Sequence, residues 1–146
     1  MAETQKKNSE AFSPEEKAAI RALARERKEN ATKAEDAANV AKAIAAMPDD
    51  DRALAERIHT LVTTAAPHLD PKTYYGMPAY ARDGKVICFF QPKSKFKVRY
   101  STFGFDTAAQ LDDGDVWPTG FAVTKLTAAD EARLTALVKK AAGGSN

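Results

Sequence analysis

The chain has few of the features that mark an unusual environment. It contains one cysteine, Cys88, in 146 residues, which excludes an intramolecular disulfide and is compatible with a reducing cytoplasm. No apolar run reaches the roughly 18 residues that a transmembrane helix needs. The N-terminal residues are polar and lack the apolar stretch of a secretory signal. We therefore expect a cytoplasmic protein with no membrane attachment.

A large excess of charge of one sign is also missing. Twenty-two Lys+Arg stand against 20 Asp+Glu, which leaves a net charge of +2. This balance argues against a dedicated nucleic-acid or membrane-binding role, where a basic face is expected, although it is compatible with a local patch. The content of 44% hydrophobic and 29% charged residues is typical of a globular domain. A chain of this length forms a core without a structural metal.

The common catalytic motifs are absent as well. There is no Walker loop, no Rossmann glycine pattern, no Gly-x-Ser-x-Gly elbow and no Cys-x-x-Cys pair. His59 and His68 do not share the i, i+4 face that a helical metal-binding pair uses. Cys88 lies in an apolar run and is expected to be an inert core thiol. The sequence therefore predicts a protein that is not an enzyme.

Helical patterning fills the first half of the chain. Ser13-Pro14-Glu15-Glu16 is a helix start, because Ser13 can cap the helix and proline suits the first helical position. The pattern predicts one helix to about Asn30 and a second from Ala34 to Met47, ended by Pro48. A third helix is expected from Asp50 or Asp51 to about Ala66.

Strand patterning begins after Asp70-Pro71, where the apolar period changes to two. Asp83-Gly84 predicts a two-residue hairpin. Four further segments are expected to contain strands: 73–82, 85–91, 96–102 and 117–124. A capping box at Thr127–Asp130 opens a last helix, which runs to about Ala142.

These elements predict an α+β fold. N-terminal helices precede a four- to five-stranded, mainly antiparallel twisted sheet and a C-terminal helix, with the helices packed on the sheet. The predicted organisation is a disordered tail (1–12), a helical N-terminal extension (13–35), an α+β domain (36–142) and a flexible C-terminus (143–146).

One segment is specific enough to suggest a family. Tyr75-Gly76-Met77-Pro78-Ala79-Tyr80 precedes the Asp83-Gly84 turn and an apolar strand ending in Phe89-Phe90, and Ala65-Ala66-Pro67 ends the helix before it. With these pieces, residues 38–142 resemble the bacterial YdhG-like domain, a family largely of unknown function that is grouped with frataxin-like and YjbR-like folds.

The resemblance implies an iron-chaperone role, in which the protein hands iron to iron–sulfur or haem assembly proteins. Iron is thus the one cofactor expected, with a monomer or weak dimer as the working state. Such a role depends on surface carboxylates. The best oxygen-donor cluster is Asp112, Asp113 and Asp115, on a bent loop that suits a hard cation. The alternative for these three residues is a solvated turn.

Two further groups are candidate ligand-binding residues. The first is the segment of Tyr75, Gly76, Met77, Pro78 and Tyr80, whose glycine and tyrosines can line a pocket or simply shape and pack the sheet.

The second group is basic. If a strand covers residues 96–102, Lys95, Lys97 and Arg99 project onto one face and can bind a protein or a nucleic acid. A solvated sheet face is the ordinary alternative. The leading hypothesis is a non-enzymatic YdhG-like protein that handles iron, and the alternative is a binding module that uses this basic face.

Overall fold

The computed structural model describes residues 12–143, and the chain divides between Glu35 and Asp36 into two units. The predicted tail lies outside the described residues except for Phe12, as does the predicted C-terminus except for Gly143. Helix α1 (Pro14–Ala45) begins in the first unit and ends in the second. The Ser13 hydroxyl accepts a hydrogen bond from the Glu16 N–H at 3.1 Å, as expected of a helix cap.

The prediction of two separate helices in this region was wrong. The helix continues through residues 31–33, because no proline or glycine interrupts the sequence between Pro14 and Met47 and its residues are mostly strong helix formers. In the first unit, Ile20 and Leu23 are exposed, which agrees with the thin apolar stripe seen in the sequence.

The second unit is an α+β fold, as predicted. Its sheet contains five antiparallel strands in the order β1-β2-β3-β4-β5, so each strand pairs with the next along the chain. The strands are β1 (Asp70–Tyr74), β2 (Met77–Arg82), β3 (Lys85–Gln91), β4 (Ser101–Phe105) and β5 (Gly120–Val123). The other helices are α2 (Asp49–Ala65), α3 (Lys93–Phe96) and α4 (Ala128–Ala142).

Two tight turns connect the first three strands. Asp83 and Gly84 have φ angles of 51° and 81°, and Tyr75 and Gly76 have φ angles of 51° and 75°. Positive φ at both central residues is the signature of the type I′ turn, whose twist matches that of the strands it joins. The Asp83-Gly84 hairpin is thus confirmed, and the break at Gly76 is a second hairpin of the same kind.

The core lies between the sheet and helices α2 and α4. Ile58 and Val62 of α2 and Val138 of α4 are fully buried in one cluster with Phe90 and Phe103 of the sheet. Burial of each such large apolar side chain contributes roughly 1.5–3 kcal/mol. The capping box at Thr127–Asp130 is present and starts α4 where the sequence predicts it.

The prediction of a strand over residues 96–102 was wrong in its first half. Lys93–Phe96 forms the short helix α3, Lys97 has a left-handed φ of 53°, and β4 begins only at Ser101. The alternation of Phe96, Val98 and Tyr100 is typical of a half-buried strand, yet all three side chains are exposed. Within residues 12–143, no helix is long and apolar enough to cross a membrane.

Candidate functional site

The exposed side chains of residues 95–100, together with the turn at Tyr75 and Gly76, form what we call the basic–apolar surface. Lys95, Lys97 and Arg99 are exposed and interleave with three exposed apolar residues. Tyr75 is the most exposed of the aromatic residues here, at 79% of its surface. None of the three cations forms an ion pair with any carboxylate in the part of the chain that the structure describes. Their charge is therefore available to a partner.

The hairpin turn lies directly against helix α3. A Cβ atom added at Gly76 would lie 2.5 Å from Lys95 Nζ, so the glycine lets the ammonium group approach the turn. The ring of Tyr75 meets the ring of Tyr74 edge-on, with centroids 4.7 Å apart. The structure thus brings together Tyr75, Gly76 and Lys95, which the sequence placed in two separate candidate groups.

Arg99 and Tyr100 form a second contact on this surface. The Arg99 guanidinium carbon lies 5.2 Å from the centroid of the Tyr100 ring, which is cation–π distance. Lys97 and Tyr75 also account for two of the three non-glycine residues with positive φ among those described. Such backbone strain persists only where the surrounding structure enforces it, and it is common at functional surfaces.

Asp51 is the group that enforces this local structure. Its side chain is fully buried, and Oδ2 accepts a hydrogen bond from the Ser94 backbone N–H at 3.2 Å. The residue before α3 is Pro92, which provides no side-chain cap, so Asp51 caps this helix from α2. Lys93 Nζ lies 3.6 Å from Asp51 Oδ1 and completes a partly buried ion pair.

Ser101 fixes the other end of the same segment. Its buried hydroxyl accepts a hydrogen bond from the Lys93 backbone N–H at 3.0 Å. The first two N–H groups of α3 are therefore both held by buried side chains. The Asp51 anchor is costly, because Oδ1 has no hydrogen-bond partner and a buried carboxylate loses its hydration. The desolvation of Asp51 thus lowers the folding stability, and in return an exposed segment is held in one conformation.

The structure separates the predicted tyrosine segment into surface and core. Tyr75 and Gly76 are exposed, but Met77, Pro78 and Tyr80 are buried and do not reach the surface. The alternation of side chains along a strand would bury only every second residue of β2. In fact all five residues from Met77 to Ala81 are buried, so both faces of this strand are covered. These three residues pack in the interior, and their role in lining a ligand pocket stays a prediction.

A polar pair lies beneath this strand. Tyr80 Oη and His59 Nδ1 are 2.9 Å apart, which satisfies the buried hydroxyl. Burial lowers the pKa of His59 and raises the pKa of both Tyr80 and Cys88. The Tyr80 hydroxyl and the Cys88 thiol therefore stay protonated at neutral pH and are not poised as nucleophiles.

The predicted metal ligands lie elsewhere, on the loop between β4 and β5. Asp112, Asp113 and Asp115 are exposed, and the backbone carbonyl of Asp112 is 3.4 Å from Lys140 Nζ. Among residues 12–143, no group of three or more His, Cys, Asp or Glu side chains is arranged to hold a metal ion. The iron-binding role of these aspartates stays a prediction from the resemblance.

A groove of about 580 Å³ runs between α2 and α4, and the turn at Tyr75 does not line it. Arg57 on its rim is paired with Glu131 at 2.7 Å and donates to the Leu126 carbonyl at 2.8 Å. The charge of Arg57 is therefore already matched within the fold. Lys139 also lines the groove and forms no ion pair within residues 12–143, whereas the basic–apolar surface has three cations of this kind.

The fold and the candidate site together describe the class of protein: it is an α+β domain that presents a fixed, cationic and partly apolar surface. Comparison with known proteins adds no family to this description. No family model matches the chain, and no curated protein or solved structure matches it either.

Sequence reasoning missed the residues that fix the surface. Asp51 follows two other aspartates at the start of α2, where carboxylates are ordinary because they meet the positive end of the helix dipole. Nothing in that triplet distinguishes the one side chain that is buried. The detectable signal was the alternation of Lys95, Lys97 and Arg99 with apolar residues, and it predicted the wrong local structure.

Proposed function

We propose that this protein is a non-enzymatic binding module whose basic–apolar surface binds an acidic and partly apolar surface of another protein. The observation that carries the proposal is the set of three unpaired cations beside exposed Phe96, Val98 and Tyr100, on a segment that buried Asp51 holds in place. A preformed surface favours binding, because less conformational entropy is lost when the partner docks.

The composition of this surface favours a protein partner over a nucleic acid. Aromatic residues and arginine are enriched in protein interfaces, and Tyr75, Tyr100 and Arg99 are of these types. Val98, with 46% of its surface exposed, gains from contact with apolar side chains and offers no ring for a base, whereas the exposed rings of Tyr75, Phe96 and Tyr100 suit either partner. The net charge of +2 also supplies little long-range attraction for a polyanion.

The iron-chaperone role remains a separate prediction of the YdhG-like resemblance. It rests on the three exposed aspartates of the β4–β5 loop and on no contact of the basic–apolar surface. A binding module that uses this surface requires no metal, so the two hypotheses predict different sets of sensitive residues.

The test uses two fluorescent probes, an acidic peptide with interspersed phenylalanines and a single-stranded oligothymidine of similar charge. Anisotropy is measured at about 50 mM and about 200 mM salt, where phosphate-dominated binding changes steeply. We expect the peptide to bind, and the double variant Lys95→Glu, Arg99→Glu to weaken it by at least about tenfold, or about 1.4 kcal/mol.

The matched control is the double variant Lys85→Glu, Lys139→Glu, which makes the same change in net charge at two other exposed lysines, in the β2–β3 hairpin and on α4. It is expected to leave peptide binding nearly unchanged. If the control and the Lys95→Glu, Arg99→Glu variant lost the same peptide affinity, the loss would be an effect of net charge alone. Tighter binding of the oligonucleotide, lost in the Lys95→Glu, Arg99→Glu variant, would replace the protein partner with single-stranded nucleic acid.

A further inference from the structure

The two free edges of the sheet differ in how they are protected from pairing. At β1, the type I′ turn makes Tyr74 and Met77 a hydrogen-bonded pair, so Pro71 and Thr73 direct their backbone groups outward. Pro71 has no N–H to offer, and charged Asp70 and Lys72 flank it. Proline and charge are the usual devices that keep an edge strand from pairing with another chain.

The β5 edge has neither device. Gly120-Phe121-Ala122-Val123 contains no proline and no charged residue. The Phe105 N–H donates to the Thr119 carbonyl at 2.7 Å, so Phe105 and Thr119 form a hydrogen-bonded pair at the start of the β4–β5 ladder. Hydrogen-bonded and non-hydrogen-bonded pairs alternate along a ladder. The backbone N–H and C=O groups of Phe121 and Val123 therefore also point toward β4.

It follows that Gly120 and Ala122 direct their N–H and C=O groups toward the open edge. Both residues are exposed, and their small side chains leave the backbone accessible. Four backbone groups with the spacing of a strand are therefore available on this side. No backbone hydrogen bond within residues 12–143 uses them on this side, and an added strand would satisfy them in a complex.

A groove of about 250 Å³ lies beside this edge, between β5 and α4. Phe121 is half-buried there, and buried Leu126 and Leu134 supply further apolar lining. The Arg133 guanidinium carbon lies 5.1 Å from the centroid of the Phe121 ring. The groove thus offers an apolar surface and a cation next to unpaired backbone groups.

The charge of this groove is positive on balance, because two cations, Lys125 and Arg133, and one carboxylate, Asp130, line it. Asp130 Oδ2 accepts from the Thr127 N–H at 3.0 Å and from the Thr127 hydroxyl at 2.8 Å. The backbone hydrogen bond from Thr127 is the main cause that lowers the pKa of Asp130. Arg133 and Lys125 form no ion pair within residues 12–143. The charge of Arg133 contributes to the lowered pKa of Asp130, and the remaining excess of one positive charge in the groove favours a carboxylate on the ligand.

From these contacts we infer that the β5 edge is a second binding site, which takes an extended peptide segment of another protein as a sixth strand. The backbone of the peptide pairs with Gly120 and Ala122. One inward side chain is apolar and contacts Phe121, and an acidic side chain of the same peptide reaches Arg133. Strand addition of this kind obtains affinity from main-chain hydrogen bonds and specificity from alternate side chains. This site is separate from the basic–apolar surface and does not depend on its function.

The test uses a labelled heptapeptide, Val-Thr-Glu-Thr-Val-Thr-Glu, whose valines and glutamates share one face of a strand, added to the ¹⁵N-labelled protein. We expect amide shifts at residues 120–125 and at Arg133, and slower hydrogen exchange of the Gly120 and Ala122 amides, whose N–H groups become paired. A second peptide of the same charge, with proline at alternate positions, cannot form a ladder and is expected to cause neither change.

Two variants separate the backbone from the charge. Ala122→Pro removes one edge N–H while the ladder to β4 keeps its own donors, and we expect it to abolish binding. Arg133→Glu leaves the strand unchanged and is expected to weaken binding by at least about tenfold, or about 1.4 kcal/mol. Lys139→Glu, on the groove between α2 and α4, is the matched control for charge on the same helix and should bind normally.

Other outcomes would overturn the inference. Shifts confined to residues 95–100, or equal binding of the proline peptide, would show recognition of charge alone. Unchanged affinity in Arg133→Glu would remove the acidic side chain from the proposal even if Ala122→Pro failed to fold. A dimer of the free protein in analytical ultracentrifugation that Arg133→Glu converts to a monomer would assign the edge to a second copy of this chain.

Discussion

From the sequence alone, the basic–apolar surface and the acidic β4–β5 loop are equally good candidates for a binding site, since each is a cluster of like charges near a turn. In the structure the two clusters differ in the buried side chains that hold their backbone. Buried Asp51 and Ser101 hold the backbone of the basic segment at Lys93 and Ser94. The side chains of Asp112, Asp113 and Asp115 are exposed, and within residues 12–143 no buried polar side chain bonds to the loop at these residues.

This difference shows what turns a charge cluster into a candidate site. Exposed charges are ordinary on a soluble protein and individually contribute little to stability. A buried carboxylate is not ordinary, because its desolvation costs energy that another residue type would save. Where such a group orders an exposed segment, the conformation of that segment is a property the fold maintains. The following experiments test whether that conformation matters.

The largest effect is expected from Asp51→Ala. The substitution leaves the Ser94 N–H without its buried acceptor and Lys93 without its buried counter-ion, so we expect a loss of about 2–3 kcal/mol in the free energy of unfolding. Urea denaturation measures the loss. Faster hydrogen exchange at residues 93–98 than elsewhere in the variant would locate it in the anchored segment.

Asp113→Ala is the matched control in the acidic loop, and its effect should stay within about 0.5 kcal/mol. Asp51→Asn separates the two contributions of the buried side chain, since the amide keeps an acceptor for Ser94 but has no charge for Lys93. Equal stability of the two alanine variants would contradict the comparison, because Asp51 would then be no more structural than an exposed aspartate.

The sequence predicts the layered architecture well and the site poorly, for physical reasons. Periodicity and capping signals are local, so the α+β order, the Asp83-Gly84 hairpin and the Thr127–Asp130 box are all readable. The start of helix α3, at Lys93 and Ser94, is held by Asp51, a residue 43 positions from Ser94, and a local pattern cannot report it. Apolar spacing alone does not indicate the continuity of helix α1, because no large apolar residue lies between Leu23 and Val40, although no proline or glycine interrupts the helix there.

An intermediate effect is expected from Gly76→Ala, for which Gly84→Ala is a close control. Both glycines occupy the second central position of a type I′ turn, with φ angles of 75° and 81°. Alanine at either position costs roughly 1 kcal/mol from backbone strain. Only at Gly76 does the added Cβ meet another group, Lys95 Nζ, whereas the space around Gly84 is open.

We therefore expect the two variants to lose similar stability in urea denaturation but to differ in binding. The flexible Lys95 side chain can move aside at low energetic cost, so its displacement should appear as amide shifts in α3 and weaker binding of the acidic peptide. Equal binding by both variants would mean that the position of Lys95 beside the turn does not contribute to recognition.

The smallest effect on stability is expected from the triple variant Asp112→Asn, Asp113→Asn, Asp115→Asn, because exposed side chains that bond to no buried group leave little to lose, within about 0.5 kcal/mol each. The same variant decides the iron hypothesis in an anaerobic Fe²⁺ titration followed by amide NMR. Since the three carboxylates lie exposed on a loop and are not arranged around a common point, we expect the wild-type protein to show weak broadening spread over its exposed carboxylates. Selective, saturable broadening at residues 112–115 that the triple variant abolishes would show that the acidic loop binds iron. The loop would then be a site that is ordered by its ligand, and the lack of a buried side chain holding it would not argue against a binding role.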